Sequence, residues 1–143
     1  MRIENIMTKK VIKAQADMSV NDLLQIIENH SFHHIPVVDS EDHLVGIVSD
    51  RDVSKNISPF LGTSSEREQD RECLSLLASD IMSTNPITIS ENSRIKTASI
   101  LLLEHNFSCL PVMNDIDETM VGIITWKDIL NYYVYSDSDA MML

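Results

Sequence analysis

Gly46-Ile47-Val48-Ser49-Asp50-Arg51-Asp52 and Gly122-Ile123-Ile124-Thr125-Trp126-Lys127-Asp128 are one pattern written twice, 76 residues apart. Each runs from a glycine through branched aliphatics, which favour a strand, to a hydroxyl followed three residues later by an acid, which marks a helix start. Outward from this junction the similarity continues. Ile6-Met7 returns as Ile81-Met82, His30-Ser31-Phe32 as His105-Asn106-Phe107, and Ile35-Pro36-Val37 as Leu110-Pro111-Val112, each 75 residues apart. One residue has therefore entered between the strands, within Asp39–Leu44 in the first copy and Asn114–Met120 in the second. Polar and acidic residues there mark a hairpin loop. A loop tolerates that insertion, whereas a strand would turn its side chains to the wrong face.

The hydrophobic rhythm changes in the same order within each copy. Val11-Ile12 and Ile87-Thr88-Ile89 read as brief strands. Val20, Leu23, Leu24 and Ile27 then recur at helical spacing behind Ser19, an N-cap with Asp22 three residues on, and Ile95, Ala98, Leu101 and Leu102 recur likewise. Ile35 to Val38 and Leu44 to Val48 read as paired strands, as do Leu110 to Met113 and Met120 to Ile124. A second helix opens near Asp50 or Trp126, the first of these stopped near Pro59. Each copy is thus β-α-β-β-α, and the class is α+β.

The repeats are placed at residues 1–57 and 80–135. Between them, 58–79 holds a linker from Ser58 to Ser65 and a connecting helix over Glu66 to Ser79, opened by a Ser65/Glu68 capping box. Residues 136–143 read as an acidic, frayed tail. A copy of about 55 residues cannot cover both faces of a three-stranded sheet, so the copies are expected to pack about a pseudo-twofold axis, with two equivalent clefts.

Composition narrows the partners. The chain has 143 residues, of which 43% are hydrophobic but only 5% aromatic, enough for an aliphatic core. Eleven basic against 22 acidic residues give a net charge of -11, which repels a nucleic-acid backbone. A small anion remains admissible where a helix N-terminus and one or two cations meet. No apolar run approaches the roughly 20 residues that span a bilayer, and Met1 to Asn5 lacks a secretory start, so a cytoplasmic location is expected. Cys73 and Cys109 form neither a C-x-x-C pair nor a disulfide framework.

At each strand-to-helix junction, free backbone N–H groups favour phosphate, and the acid can accept hydrogen bonds from two ribose hydroxyls. Asp52 and Asp128 suit that second part. Helix capping by Ser49/Asp52 and Thr125/Asp128 would explain the same spacing without a ligand, and local sequence leaves both readings open. Arg51 can likewise simply balance Asp50 and Asp52, and Lys127 can be a solvated first-turn residue. Trp126 suits packing across a dimer or repeat interface. His30, His33, His34 and His43 lack a metal-ligand spacing, so no metal is expected.

The set Ile6-Met7-Thr8, Ile35-Pro36-Val37-Val38-Asp39 and Gly46 to Asp52, repeated once, resembles the tandem CBS (cystathionine-β-synthase) domain pair over nearly the entire chain. It is similar to small stand-alone bacterial pairs and to the regulatory insert of inosine monophosphate dehydrogenase. The resemblance implies two adenosine-nucleotide sites built from both repeats. One would take Ser49, Asp50, Arg51, Asp52, Ser83, Ile87, Thr88 and Ser108. The other would take Thr8, Ile12, Lys13, His33, His34, Pro36, Thr125, Lys127 and Asp128, with the acids on ribose and adenine held mainly by backbone beside Ile12 or Ile87 and Pro36 or Pro111. Arg51, Lys127, Lys9, Lys10 and His33 are the candidate phosphate cations.

Such main-chain recognition leaves AMP, ADP and ATP undistinguished, with S-adenosylmethionine as an alternative. The resemblance further implies a regulatory sensor, not an enzyme, acting on an unidentified partner protein as a homodimer, for which helix faces including Tyr132 and Tyr133 offer a surface. No cofactor is required, and the residues offer no positioned base with a metal for nucleotide hydrolysis. The competing reading is a ligand-free dimerisation module, which would not need Asp52 and Asp128.

Overall fold

The computed structural model describes residues 1–30 and 33–135; Ser31, Phe32 and the tail at 136–143 lie outside the described residues. The chain forms two compact units. The first is Ile12–Pro86, and the second joins Met1–Val11 to the chain from Ile87 onward.

In the first unit, α1 (Val20–His30) is followed by β1 (His34–Val38), β2 (Leu44–Ser49) and α2 (Asp50–Asn56), then a 3-10 stretch (Glu68–Ser75), α3 (Ala78–Ile81) and β3 (Ser83–Thr84). The Ser19 hydroxyl starts α1 by accepting from the Asp22 N–H at 3.2 Å. β1 and β2 form an antiparallel hairpin with Ile35 opposite Val48. β3 pairs antiparallel with the far edge of β2, Gly46 opposite Thr84. Under the sheet lie Ala14, Val20, Leu23, Ile35, Val37, Val48, Val53, Ala78 and Ile81. Removing each of the larger of these from water contributes about 1.5–3 kcal/mol.

The second unit repeats the plan with β4 (Ile89–Ser90), α4 (Ile95–His105), β5 (Cys109–Met113), β6 (Met120–Thr125) and α5 (Trp126–Tyr135). β4 runs parallel to β5, and β5 antiparallel to β6. Thr8 bridges Ile123 on the free edge of β6. The core is Ile3, Ile89, Ile95, Ala98, Leu102, Leu110, Val112, Ile124 and Ile129. Each sheet is therefore closed by the segment that opens the other repeat: Ser83 and Thr84 complete the first, and Thr8 the second.

The one-residue insertion falls in the hairpin turns. Asp39 Oδ1 accepts from the Glu41 and His43 N–H groups, both at 2.9 Å, while Asn114 Oδ1 accepts from Ile116 at 2.8 Å and Asp117 at 3.2 Å. Each turn closes through a residue with positive φ, Asp42 at 65° and Glu118 at 59°.

Three expectations are corrected. Val11-Ile12 belongs to no strand; the pairing comes at Ala14, whose N–H reaches Pro36 O at 2.8 Å, and in the second copy at Ile89–Ser90. Ala14 and Ile89 are buried while Val11, Ile12 and Ile87 are only half-buried, so packing has set the register two residues later than the apolar run suggests. Nor does a continuous helix cross Glu66 to Ser79. The 3-10 stretch there buries no side chain, so nothing in the core rewards an α-helix, and Leu76 and Leu77 are extended (ψ 151° and 158°). Leu76 O instead accepts from the Val20 N–H at 2.7 Å. Third, the acid that closes the start of the 3-10 stretch is Asp70, which accepts from the Arg67 N–H at 2.7 Å, in place of the Ser65/Glu68 box.

Candidate functional site

The two junctions are built alike. At the end of β2 the Ser49 N–H donates to Asp52 Oδ2 at 2.8 Å, and the Asp52 N–H donates to Ser49 Oγ at 3.0 Å. At the end of β6 the Thr125 N–H donates to Asp128 Oδ2 at 3.0 Å, and the Asp128 N–H to Thr125 Oγ1 at 3.1 Å. Both are complete capping boxes. The carbonyl of the residue before each inner strand takes the next N–H of the helix: Asp50 to His33 O at 2.9 Å, Trp126 to Ser108 O at 3.3 Å.

Capping does not exhaust the acids. An ionised carboxylate offers about four lone-pair directions, and the box uses one oxygen of Asp52, leaving Oδ1 without a hydrogen bond among the described residues. Asp128 differs, because the Thr8 hydroxyl donates to it at 3.2 Å from Oδ1 and 3.3 Å from Oδ2. Both acids are half-buried, accessible to a donor from outside yet partly shielded from water.

The neighbourhood of the first junction is titratable. His33 Nδ1 lies 2.9 Å from Asp50 Oδ2, and this bond holds the Asp50 carboxyl below its ordinary value of 3.8. Burial, outweighing the nearby Asp50 and Asp52 charges, lowers the His34 imidazole below 6.5. A depressed carboxyl contributes stability above its unfolded value and loses it as pH falls through the folded one. Asp50→Asn is therefore expected to destabilise the chain slightly at neutral pH, by under about 1 kcal/mol because the pair is exposed. Denaturant unfolding should show that difference vanishing well below about pH 4. The second junction has Ser108, Cys109 and Trp126 at the equivalent places. Burial pushes the Cys109 thiol up to about 11, so it stays protonated at neutral pH.

The sequence-derived site residues divide between the units. Ser49, Asp50, Arg51, Asp52 and Ser83 come together in the first unit, Ser83 through β3 beside Ile47. Ile12, Lys13, His33, His34 and Pro36, assigned by resemblance to the other site, also lie in the first unit. There Lys13 reaches Asp42 at 3.2 Å in the β1–β2 turn, and Pro36 is fully buried. Thr8, Thr125, Lys127 and Asp128 come together in the second unit, which also contains Ile87, Thr88 and Ser108. Sequence reasoning did not find the His33–Asp50 pair; the signal was the nearness of His33 to the start of a strand whose partner ends at Ser49, one residue before Asp50.

Against this geometry stand the comparisons with known proteins. The CBS domain profile matches residues 3–59 and again 78–135. The chain belongs to the CBS domain family. It is a tandem CBS pair, 31% identical over 133 residues to a CBS domain-containing protein of Dictyostelium discoideum, a match covering 92% of this chain and 90% of that one. Among solved CBS pairs, CBSX2 of Arabidopsis thaliana in complex with AMP superposes with a TM-score of 0.77 at 25% identity, over 92% and 95% of the two chains. The CBS pair of protein MJ0100 in complex with 5-methylthioadenosine and S-adenosylmethionine gives 0.74 at 26% identity, over 96% and 98%. Curated enzymes also match, but this CBS pair spans only 22% to 24% of their length. Among the described residues no group of His, Cys, Asp and Glu is placed to hold a metal ion, and no helix is long and apolar enough to cross a membrane.

Proposed function

We propose that this CBS pair is a regulatory sensor of an adenosine ligand, AMP, ADP or ATP, and not a catalyst. In this reading Ser49, Arg51 and Asp52 at one junction, and Thr8, Thr125, Lys127 and Asp128 at the other, receive the ribose and phosphate. The observation that carries it is the spare carboxylate oxygen of Asp52, left over after the helix cap is satisfied. A pair of ribose hydroxyls is a donor set that matches such an acceptor. The AMP-bound relative supports the nucleotide, and the relative holding S-adenosylmethionine supports that compound as the second reading. The sensor acts as a homodimer in the cytoplasm. Its ligand favours one conformation through differential affinity, and an as yet unidentified partner protein reads the change.

Calorimetric titration with AMP, ADP, ATP and S-adenosylmethionine tests this. Asp52→Asn is the informative variant, because asparagine keeps an oxygen for the Ser49 N–H and so retains the cap while losing the charge. It is expected to weaken one class of site at least about tenfold, the worth of a charge-assisted hydrogen bond, with little change in melting temperature. Asp128→Asn should do the same to the other. Absence of binding by all four ligands, or unchanged affinity in both variants, overturns the reading.

A further inference from the structure

The two junctions share a backbone plan but not a charge. Beside Asp128 stand Lys127, its neighbour in the chain, and Lys9 and Lys10, one and two residues beyond the Thr8 whose hydroxyl donates to that acid. Thr8 is held in place, because its N–H and its carbonyl both pair with Ile123 at 2.9 Å. Successive Cα atoms lie about 3.8 Å apart, so both lysines start within roughly 8 Å of this anchor. All three lysines are exposed, and none makes a hydrogen bond or an ion pair among the described residues. The repeat offsets give their counterparts in the first unit: Thr84 and Asn85 for Lys9 and Lys10, and Arg51 for Lys127. Asp50 stands where the second junction has Trp126, so Arg51 lies between two acids, and His33 is bonded to the first of them at 2.9 Å. With histidine counted as neutral, Lys9, Lys10 and Lys127 against Asp128 leave the second junction at +2, whereas Arg51 against Asp50 and Asp52 leaves the first at -1. In a chain with 22 acidic and 11 basic residues, the second junction reverses the prevailing balance.

We infer that the two junctions are sorted by phosphate charge: the second takes an adenosine ligand with a polyphosphate chain, ADP or ATP, and the first takes one with a single phosphate or none. The inference rests on the proposed function, because it concerns the same two acids. Adenine held by backbone and ribose held by a carboxylate are alike at both junctions, so only the phosphate chain can tell them apart. Each added phosphoryl group brings further negative charge, which three unpaired ammonium groups attract and the Asp50/Asp52 pair repels. Lysine suits this task, since a compact charge on a flexible stem can follow a mobile chain of phosphates without the fixed geometry of a guanidinium fork. An exposed charge pair is worth only about a fewfold in affinity, so a tenfold preference needs several lysines acting on one ligand. The second junction has three; the first has one arginine already faced by two carboxylates.

Calorimetric titration of the full chain with AMP and ATP tests it, without divalent cations, whose charge would cancel that of the phosphates. Asp52→Asn weakens the first junction and so reports the second, and Asp128→Asn reports the first. In the Asp52→Asn protein ATP is expected to bind about tenfold more tightly than AMP, and this ratio should shrink as salt is raised. In the Asp128→Asn protein AMP should bind at least as tightly as ATP. Adding Lys9→Gln, Lys10→Gln and Lys127→Gln to the Asp52→Asn protein should abolish the preference for ATP and leave the melting temperature unchanged, because the lysines have no partner to lose. Thr84→Lys in the Asp128→Asn protein, which gives the first junction the counterpart of Lys9, should raise its affinity for ATP severalfold over that for AMP. The same ATP-to-AMP ratio at both junctions, or a preference that survives the triple lysine substitution, overturns the sorting and leaves the proposed function standing. Absence of binding by either nucleotide to the wild type and to both aspartate variants overturns the nucleotide reading and the sorting with it.

Discussion

Removing residues 1–11 is expected to unfold the second unit, although all of the family repeat 78–135 that lies in that unit, from Ile87 onward, is retained. Ile3 is completely buried among Ile89, Leu110 and Ile124, and Ile6 and Met7 pack against the same cluster. The segment is also bonded along its backbone: Ile3 N–H to Ser93 O at 2.9 Å, Glu4 N–H to Glu91 O at 3.1 Å, and a reciprocal pair between Thr8 and Ile123, both 2.9 Å. Losing Ile3 alone, in Ile3→Ala, should cost on the order of 3 kcal/mol, because a buried isoleucine gives up both transfer energy and packing. The deletion adds the exposed edge of β6 and the vacated space beneath it, which together exceed a large share of a typical domain's stability. Hydrogen exchange at the β5 and β6 amides is the measurement. Protection there should collapse in the fragment beginning at Ile12 and return when a peptide of residues 1–11 is added. Unchanged protection in the fragment would mean that the exchanged segment contributes nothing the repeat cannot supply itself.

That exchange also marks the limit of what the sequence disclosed. The hairpins were legible because two adjacent apolar runs with a polar turn between them have only one economical way to pair, and the capping boxes were legible because their hydrogen bonds span three residues. Thr8, Ser83 and Thr84 were not legible as sheet edges. They are one or two residues long, carry no alternation, and owe their pairing to contacts with Ile123, Gly46 and Ile47 that no local pattern announces. The repeat offset held the missing clue: Thr8 and Ser83 are 75 apart, so whatever one does in its unit the other does in its counterpart. The stretch from Glu66 to Ser79 misled for the opposite reason. Its leucines suit a helical spacing, but Leu76 spends its backbone on α1, and tertiary bonding overrode a weak local preference.

The second large effect follows from the same edge. Gly122→Ala is expected to destabilise the chain by about 1–3 kcal/mol and to disturb the Asp128 junction as well. A Cβ at position 122 would lie 2.8 Å from Met7 Sδ and 2.8 Å from the Thr8 carbonyl oxygen. The methionine can swing aside, being unbranched and adaptable. The carbonyl cannot, because it accepts the Ile123 N–H at 2.9 Å and is fixed from both sides of the bridge. A glycine in a strand here marks the close approach of another backbone. Forcing Thr8 outward also withdraws its hydroxyl from Asp128, so the thermal midpoint and the affinity of the second junction should fall together. Met7→Ala in the same background separates the two collisions. If the sulfur were the obstacle, shortening it would restore the midpoint; because the Thr8 carbonyl is the obstacle, the double variant should remain as unstable as Gly122→Ala or become more so, having lost the packing of Met7 without gaining room for the new methyl group.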